Sequence, residues 1–461
     1  MYRRAILVAA ALLAGCATPA PEYRRPAVEL PAAWRDSAPA AYTNGRWWQV
    51  YGDAALERLV DEAIAGSADL ALAAARVDEA RALLRETGAG QAPTLDANAS
   101  RDRSRSSAAT GLLPPGAQRE RNNTRLTLDV AYEVDLWGRL RTASEAARAD
   151  LLATTAARET VRIALVADVA RSWSALRALD ASAASTRRAL ALREELLALQ
   201  KKRSDAGLIS EFELRQLEAE AAAARAQLAP IERDREREEA VLAVLLGRSP
   251  KAIMESGVQR AADATDAPPA LQVPAGLPSE LLLRRPDLVE AEQRLLAANA
   301  RVELARLAYF PSIPLTGFVG TESATLSQLF SGPATIWRIA AAVAQPIFDG
   351  GRRDAQREAA EARERQALAQ YQRAIRNAFG EVRQALAAQA RSREAYDAEG
   401  ARMRALAEAL RLAQLRLKHG LASQLEVIDA ERNLLAAELS RIDALRAQRA
   451  AVADLFKALG G

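Results

Sequence analysis

Between Thr124 and Trp137 the chain changes character at every step: Leu126, Leu128, Val130, Tyr132, Val134 and Leu136 alternate with Arg125, Thr127, Asp129, Ala131, Glu133 and Asp135. Such alternation sends the two sets of side chains to opposite faces of a β-strand and does not make a helical stripe. Leu95, Ala97 and Ala99 alternate with Asp96, Asn98 and Ser100 just upstream, and a loop around Leu112 to Gly116 joins the two runs. Weaker versions recur later, so strands are expected at about 93–106, 121–137, 311–322 and 336–348. Strands of this length with one apolar and one charged face fit a transmembrane barrel wall. They also fit a sheet packed on protein, because periodicity does not tell lipid from protein. Four strands cannot seal a barrel, and an open edge is not tolerated in lipid. In lipid the chain must therefore pool copies; three give twelve strands, whereas two give the eight of a barrel filled by its own side chains.

The rest of the pattern is helical. From Gly138 to Ala206 there is neither proline nor a second glycine, and Ala, Leu, Arg and Glu dominate. That predicts one helix of about 100 Å at 1.5 Å per residue. Its counterpart runs from Arg352 to His419, with bends expected at Gly380 and Gly400. Shorter helices follow, Ser210 to Leu246 with a kink at Pro230, and Ser423 to Leu459, while Ala54 to Thr87 and Ser279 to Ala308 lead the two halves. Leucines at three- and four-residue spacing, such as Leu406, Leu410 and Leu417, make seams for helix packing.

The two halves are versions of one unit. Gly207-Leu208 with Ser210 and Glu213 recurs 213 positions on as Gly420-Leu421 with Ser423 and Glu426, and the same offset takes Gly138-Arg139 to Gly351-Arg352. An offset of 218 takes Asp69-Leu70 to Asp287-Leu288 and Pro93 to Pro311. The chain therefore divides into a first repeat at 54–249, a proline-rich linker at 250–278 and a second repeat at 279–461, with hairpin turns at 207 and 420.

The start of the chain adds a destination. Met1-Tyr2-Arg3-Arg4 is basic, Ala5 to Ala14 is apolar, and Leu13-Ala14-Gly15-Cys16 closes the run. This reads as a signal peptide at 1–15 that ends in a lipoprotein cysteine, and 16–53 then becomes a lipidated N-terminal segment. Cys16 is the only cysteine, so disulfides are excluded. Diacylglycerol and an N-acyl chain on Cys16 would tie the chain to a leaflet, and Ala17 behind it points to the outer membrane. Basic and acidic residues nearly balance, 63 to 59, and are interleaved, which gives no argument for nucleic acid. The single histidine, His419, stands beside a turn glycine, and no metal cluster, phosphate loop or nucleophile elbow occurs, so neither a cofactor nor enzymatic chemistry is expected.

Against this background the chain resembles the TolC family of outer-membrane factors, in its lipoprotein branch serving multidrug efflux. The resemblance rests on Cys16 in its lipobox, Pro21-Glu22-Tyr23, Trp47-Trp48 before Tyr51-Gly52-Asp53, Leu136-Trp137-Gly138-Arg139, Arg284-Arg285-Pro286-Asp287-Leu288, Phe310-Pro311 and Pro346-Ile347-Phe348-Asp349-Gly350-Gly351. It implies a mainly α protein with a β-barrel part: a homotrimer whose four strands per chain form one twelve-stranded barrel, continued by a periplasmic α-helical coiled-coil tunnel. It also implies a periplasmic adaptor and an inner-membrane transporter as partners, with drugs or other small toxic solutes as cargo.

The resemblance assigns roles to the tip. Adaptor contact falls on the turns Gly207, Leu208, Ser210, Gly420, Leu421 and Ser423, and a periplasmic constriction falls on Glu426 and Asp429. A structural account competes: each glycine suits a left-handed helix end, and Ser210-x-x-Glu213 and Ser423-x-x-Glu426 are capping boxes. The arginine and tyrosine that close the tip in the family's best-known member are replaced by Ala422 and Leu417, which leaves apolar packing by Leu417 and Leu421 to close this one. Two other functions share some of these features, a type I protein-secretion channel and a lipid-anchored periplasmic coiled-coil adaptor; the adaptor has no need of paired amphipathic strands.

Overall fold

The computed structural model describes residue 29 and residues 45–107, 109, 116, 118–260 and 284–461. The signal peptide, Cys16, Pro21-Glu22-Tyr23, most of the 112–116 loop and positions 261–283 lie outside the described residues.

A 3₁₀ turn, Trp47–Tyr51, leads into α1 (Ala54–Gly66) and α2 (Ala68–Ala89). Then come β1 (Thr94–Arg105), β2 (Glu120–Glu133), α3 (Arg139–Asp205), α4 (Glu211–Leu245) and α5 (Pro250–Glu255). The second half contains α6 (Pro286–Leu307), β3 (Pro314–Ser323), β4 (Thr335–Ala341), α7 (Arg352–Lys418) and α8 (Gln424–Leu459). Helices α3 and α7 are each 67 residues long, about 100 Å at 1.5 Å per residue.

Two compact units share these elements. One contains Arg76–Thr154 and Glu290–Tyr371, the other Glu29–Ala75, Thr155–Val289 and Gln372–Gly461. In the first, four antiparallel strands form one sheet in the order β1-β2-β3-β4. In the second, the core is made where helices meet: Leu56, Val60, Val166, Val169, Trp173, Leu176, Leu242, Leu246, Leu288 and Leu455 are almost wholly buried.

Polar links fix that core. Asp53 caps α1 by accepting from the amides of Ala55 and Leu56, and its other oxygen accepts the Trp173 indole N–H at 2.7 Å. Trp47 stacks on Phe456 with centroids 4.8 Å apart, and the Tyr51 hydroxyl donates to the Arg449 carbonyl at 2.7 Å. The Trp47-Trp48 pair is thus packing, since both rings are buried. Arg285 is buried too; it donates to Asp287, to Glu381 on α7 and to the Ala458 carbonyl at the end of α8. A bidentate guanidinium that also takes a helix-end carbonyl satisfies its buried N–H groups, which lysine could not reproduce.

The element boundaries differ from the expected ones at places with local causes. The helix expected over 54–87 is two helices, because Ser67 is extended and its hydroxyl accepts from the Leu70 amide to restart the coil. At that break Gly66 meets the end of α4: a Cβ on Gly66 would stand 2.6 Å from the Leu246 carbonyl oxygen, and one on Gly247 2.0 Å from that of Gly66. Strand β2 ends at Glu133 and not at 137, because Asp135 turns back to accept from the amides of Leu140 and Arg141 at the start of α3. Strand β4 ends at Ala341, with one further bridge between Ala344 and Ser312. Helices α4 and α7 run unbroken through Pro230, Gly380 and Gly400. The linker opens with helix α5, whose first turn is capped by Ser249.

Candidate functional site

The sheet has two unlike faces. Directly opposed antiparallel residues lie on the same face, so the register defines rows across all four strands. Leu95, Val130, Gly317 and Ile339 form one row, Ala97, Leu128, Val319 and Trp337 the next, and Ala99, Leu126, Thr321 and Thr335 a third. Among the described residues these rows have little cover: Leu95 is 67% exposed, Trp337 71% and Ile339 83%, and Leu126, Leu128, Val130 and Val319 are exposed as well. Leaving this many large apolar side chains in water is costly, at about 1.5–3 kcal/mol each for full burial, and so extended an apolar surface marks a membrane or partner interface.

The other face is polar and knitted together. Asp129 accepts from the Asn98 amide and the Thr127 hydroxyl, both at 2.8 Å, and Asn123 donates to Glu322 at 2.9 Å. The Arg125 guanidinium lies 4.4 Å over the Phe318 ring and 3.8 Å from Glu322. An apolar face opposite a hydrogen-bonded polar face is the cross-section of a barrel strand between lipid and an aqueous lumen. Among the described residues no helix is long and apolar enough to cross a membrane. At the other end of β2 the Trp137 ring lies 5.0 Å from that of Phe310, and its N–H donates to the Pro311 carbonyl at 2.8 Å.

Both hairpin turns are built alike. The Gly207 amide donates to the Ser204 carbonyl and the Leu208 amide to that of Arg203; Gly420 and Leu421 repeat this with Leu417 and Arg416. Both glycines have positive φ, +73° and +70°, as this helix ending requires. Each following helix opens with a complete capping box. The Glu213 amide donates to the Ser210 hydroxyl and the Ser210 amide to the Glu213 carboxylate, and Ser423 and Glu426 do the same. Leu208, Phe212, Leu421 and Leu425 stay exposed around these turns, and His419, in the turn just past α7, is on the surface.

The two acidic residues each have a basic companion that the family motif did not indicate. Glu426, besides capping α8, stands 3.7 Å from Arg416, which also donates to the Leu421 carbonyl. Asp429 accepts from Arg432 at 3.0 Å, one helical turn on. The signal for Arg432 was in the i,i+3 spacing, and for Arg416 in its place one turn before the glycine. Two positions past Asp429, Glu431 is half-buried; burial pushes its carboxyl above the ordinary carboxylate value, with Arg193 offsetting part of the rise. Glu431 and Arg193 line a groove of about 170 Å³ with Leu410 and Leu435.

Known proteins share this arrangement over nearly its whole length. The family model described as outer membrane efflux protein matches residues 59–248 and 277–461. Outer membrane protein OprJ of Pseudomonas aeruginosa is 36% identical over 458 residues, spanning 98% of this chain and 94% of its own. Cation efflux system protein CusC of Escherichia coli K12 is 33% identical, with 97% of each chain covered. Among solved structures, the open state of the Neisseria gonorrhoeae MtrE outer membrane channel superposes with a TM-score of 0.83 at 33% identity, covering 96% of this chain and 98% of that one. The chain belongs to the outer membrane efflux protein family, and it is an outer-membrane efflux channel with a helical tunnel and a β-barrel part.

Proposed function

We propose that three copies of this chain close one twelve-stranded barrel, and that the six hairpins of their long helices continue it as a passive conduit through the periplasm. The observation that carries this reading is a four-stranded sheet whose apolar face is uncovered, and whose edges β1 and β4 are unpaired, among the described residues. Unpaired backbone donors and acceptors cost several kcal/mol each in hydrocarbon, so copies must supply each other's edges. Three chains give a lumen, and the knitted polar face of Asn98, Thr127, Asp129 and Arg125 lines it.

Under this reading the tip turns at Gly207, Leu208, Ser210, Gly420, Leu421 and Ser423 receive a periplasmic adaptor, whose own helices cover the exposed Leu208, Phe212, Leu421 and Leu425. An inner-membrane transporter feeds the tunnel, and its choice of substrate decides which small toxic solutes or cations pass. The conduit itself does no covalent chemistry and holds no cofactor. Diacylglycerol and N-acyl chains on Cys16 anchor each chain to the outer membrane. Glu426 and Asp429 stand near the narrowest point, where three copies bring six carboxylates around one axis. Capping by Glu426 is compatible with that place, since one carboxylate oxygen accepts from Ser423 and the other faces Arg416.

Reconstitution into planar bilayers tests the proposal. Purified protein is expected to conduct ions, with conductance rising when the tip is opened by charged substitutions at Leu417 and Leu421. A protein that inserts but passes no ions, with or without those substitutions, overturns it.

A further inference from the structure

The two ends of the sheet differ in what the strands join. Helix α2 leads into β1, β2 passes into α3, α6 leads into β3 and β4 runs on to α7, so every helix connection lies at one end. Those helices belong to the periplasmic tunnel, and the opposite end, where Arg105 pairs with Glu120, therefore points to the cell exterior. On the apolar face the rows run from Val134 with Ile313 to Leu126 with Ala99. The stretch of β2 between Leu126 and Val134, at about 3.4 Å per residue and tilted by about 40°, spans about 20 Å, close to the apolar band of an outer-membrane barrel.

Above that band the same face of β1 turns basic. Alternate residues share a face, so Leu95, Ala97 and Ala99 are followed by Arg101, Arg103 and Arg105. All three arginines are exposed, opposite Thr124, Asn122 and Glu120. Successive members stand about 7 Å apart along the strand, so the row rises about 14 Å beyond the last apolar position. Among the described residues Glu120 is the one carboxylate against it; Arg103 donates to Glu120 at 2.9 Å, and Arg105 lies 3.8 Å away. Asp102 belongs to the opposite face, and no charged residue occurs from Ser323 to Ile336 in the neighbouring hairpin. From 101 to 125 there are six arginines and two acidic residues, an excess of four that equals the net charge of the entire chain.

We infer that this row seats an outer-leaflet lipid whose headgroup carries two or more phosphates, with its acyl chains against the Leu95, Ala97 and Ala99 positions beneath. The inference rests on the barrel reading and adds to it a lipid site. Guanidinium groups take phosphate oxygens two at a time, and an anion between like charges removes their repulsion. Because the row stands along the strand, a headgroup with one phosphate meets only part of it, whereas one with several can span it. Charge on an edge strand also deters pairing with foreign chains, a role that needs no ligand. Binding separates the two roles.

Lipid capture by the detergent-extracted particle tests the site, read by native mass spectrometry with diphosphoryl lipid A, monophosphoryl lipid A and phosphatidylglycerol as probes. The parent is expected to hold diphosphoryl lipid A about tenfold tighter than the other two. R101Q/R103Q/R105Q is expected to lose at least about tenfold, since each arginine near an anionic surface contributes about fivefold and Glu120 offsets part of it. R121Q, opposite Ser104 and so on the other face, should change nothing. R101Q alone serves if the triple variant assembles poorly, with a loss of about threefold. Equal capture by parent and triple variant overturns the site and leaves the row as protection of the edge. Equal affinity for the three lipids, or displacement by inorganic phosphate at constant ionic strength, overturns the multiply phosphorylated lipid as occupant. A conducting particle that captures none of them overturns the site alone, whereas a particle that extracts as a monomer and passes no ions overturns the barrel reading with it.

Discussion

Trp173 and Asp53 are joined by a 2.7 Å hydrogen bond that reaches from the middle of α3 to the residue that starts α1. Because the same carboxylate also takes the Ala55 and Leu56 amides, one side chain holds a helix start and a buried ring together. Asp53→Ala removes a cap, about 1 kcal/mol, and leaves a buried indole N–H without its acceptor, about 1–3 kcal/mol more. A loss of about 2–4 kcal/mol is expected, with Asp53→Asn intermediate because its carbonyl can still cap. Denaturant unfolding of detergent-extracted protein, followed by tryptophan emission, measures it.

The glycines differ in what they tolerate. Gly207 has open space around it, so Gly207→Ala meets only the left-handed backbone penalty of about 1 kcal/mol. At Gly247 the same substitution adds a Cβ at 2.0 Å from the Gly66 carbonyl oxygen, and backbone must move. Gly247→Ala is expected to lose about 3 kcal/mol, strain and overpacking together. Parallel unfolding curves for the two variants check the contrast, and equal losses would refute it.

Glu431 offers a pH test. Burial holds its folded carboxyl above the ordinary value, so the folded state prefers the protonated form. Its contribution is most favourable below the unfolded value of about 4.3 and is lost as pH rises through the folded one. Glu431→Gln should therefore be more stable than the parent at about pH 7, with the difference closing towards about pH 4. A difference that widens towards acid would contradict the assignment.

The acidic pair can be tested without disturbing the fold. Glu426→Gln keeps an acceptor for the Ser423 amide, and Asp429→Asn keeps one for Arg432, so the double variant removes charge while leaving the caps and pairs formed. If the six carboxylates surround the lumen, cation selectivity and divalent-cation block in bilayer recordings should both fall. Unchanged selectivity and block would move these residues off the axis.

What could be read in the sequence was whatever a period or an offset encodes. Strict alternation in β2 placed Leu126, Leu128 and Val130 on one face, and the offset of 213 found both turns and both capping boxes. Boundaries set by single side chains were illegible. Nothing in a pattern of apolar positions says that Asp135 will turn back to cap α3, or that Ser67 will break a helix where Gly66 meets Gly247. The basic companions of the acidic pair, Arg416 and Arg432, were missed for a related reason: a family motif marks the carboxylates, whereas their neighbours follow from helix geometry.

The account stands on the requirement that a sheet with an uncovered apolar face and two bare edges be completed by other copies of itself. The mass of the detergent-extracted particle, with bound detergent subtracted by sedimentation at matched density, tests this most directly. Three chains per particle is the predicted result. A particle of one chain that still sits in the outer membrane would contradict it.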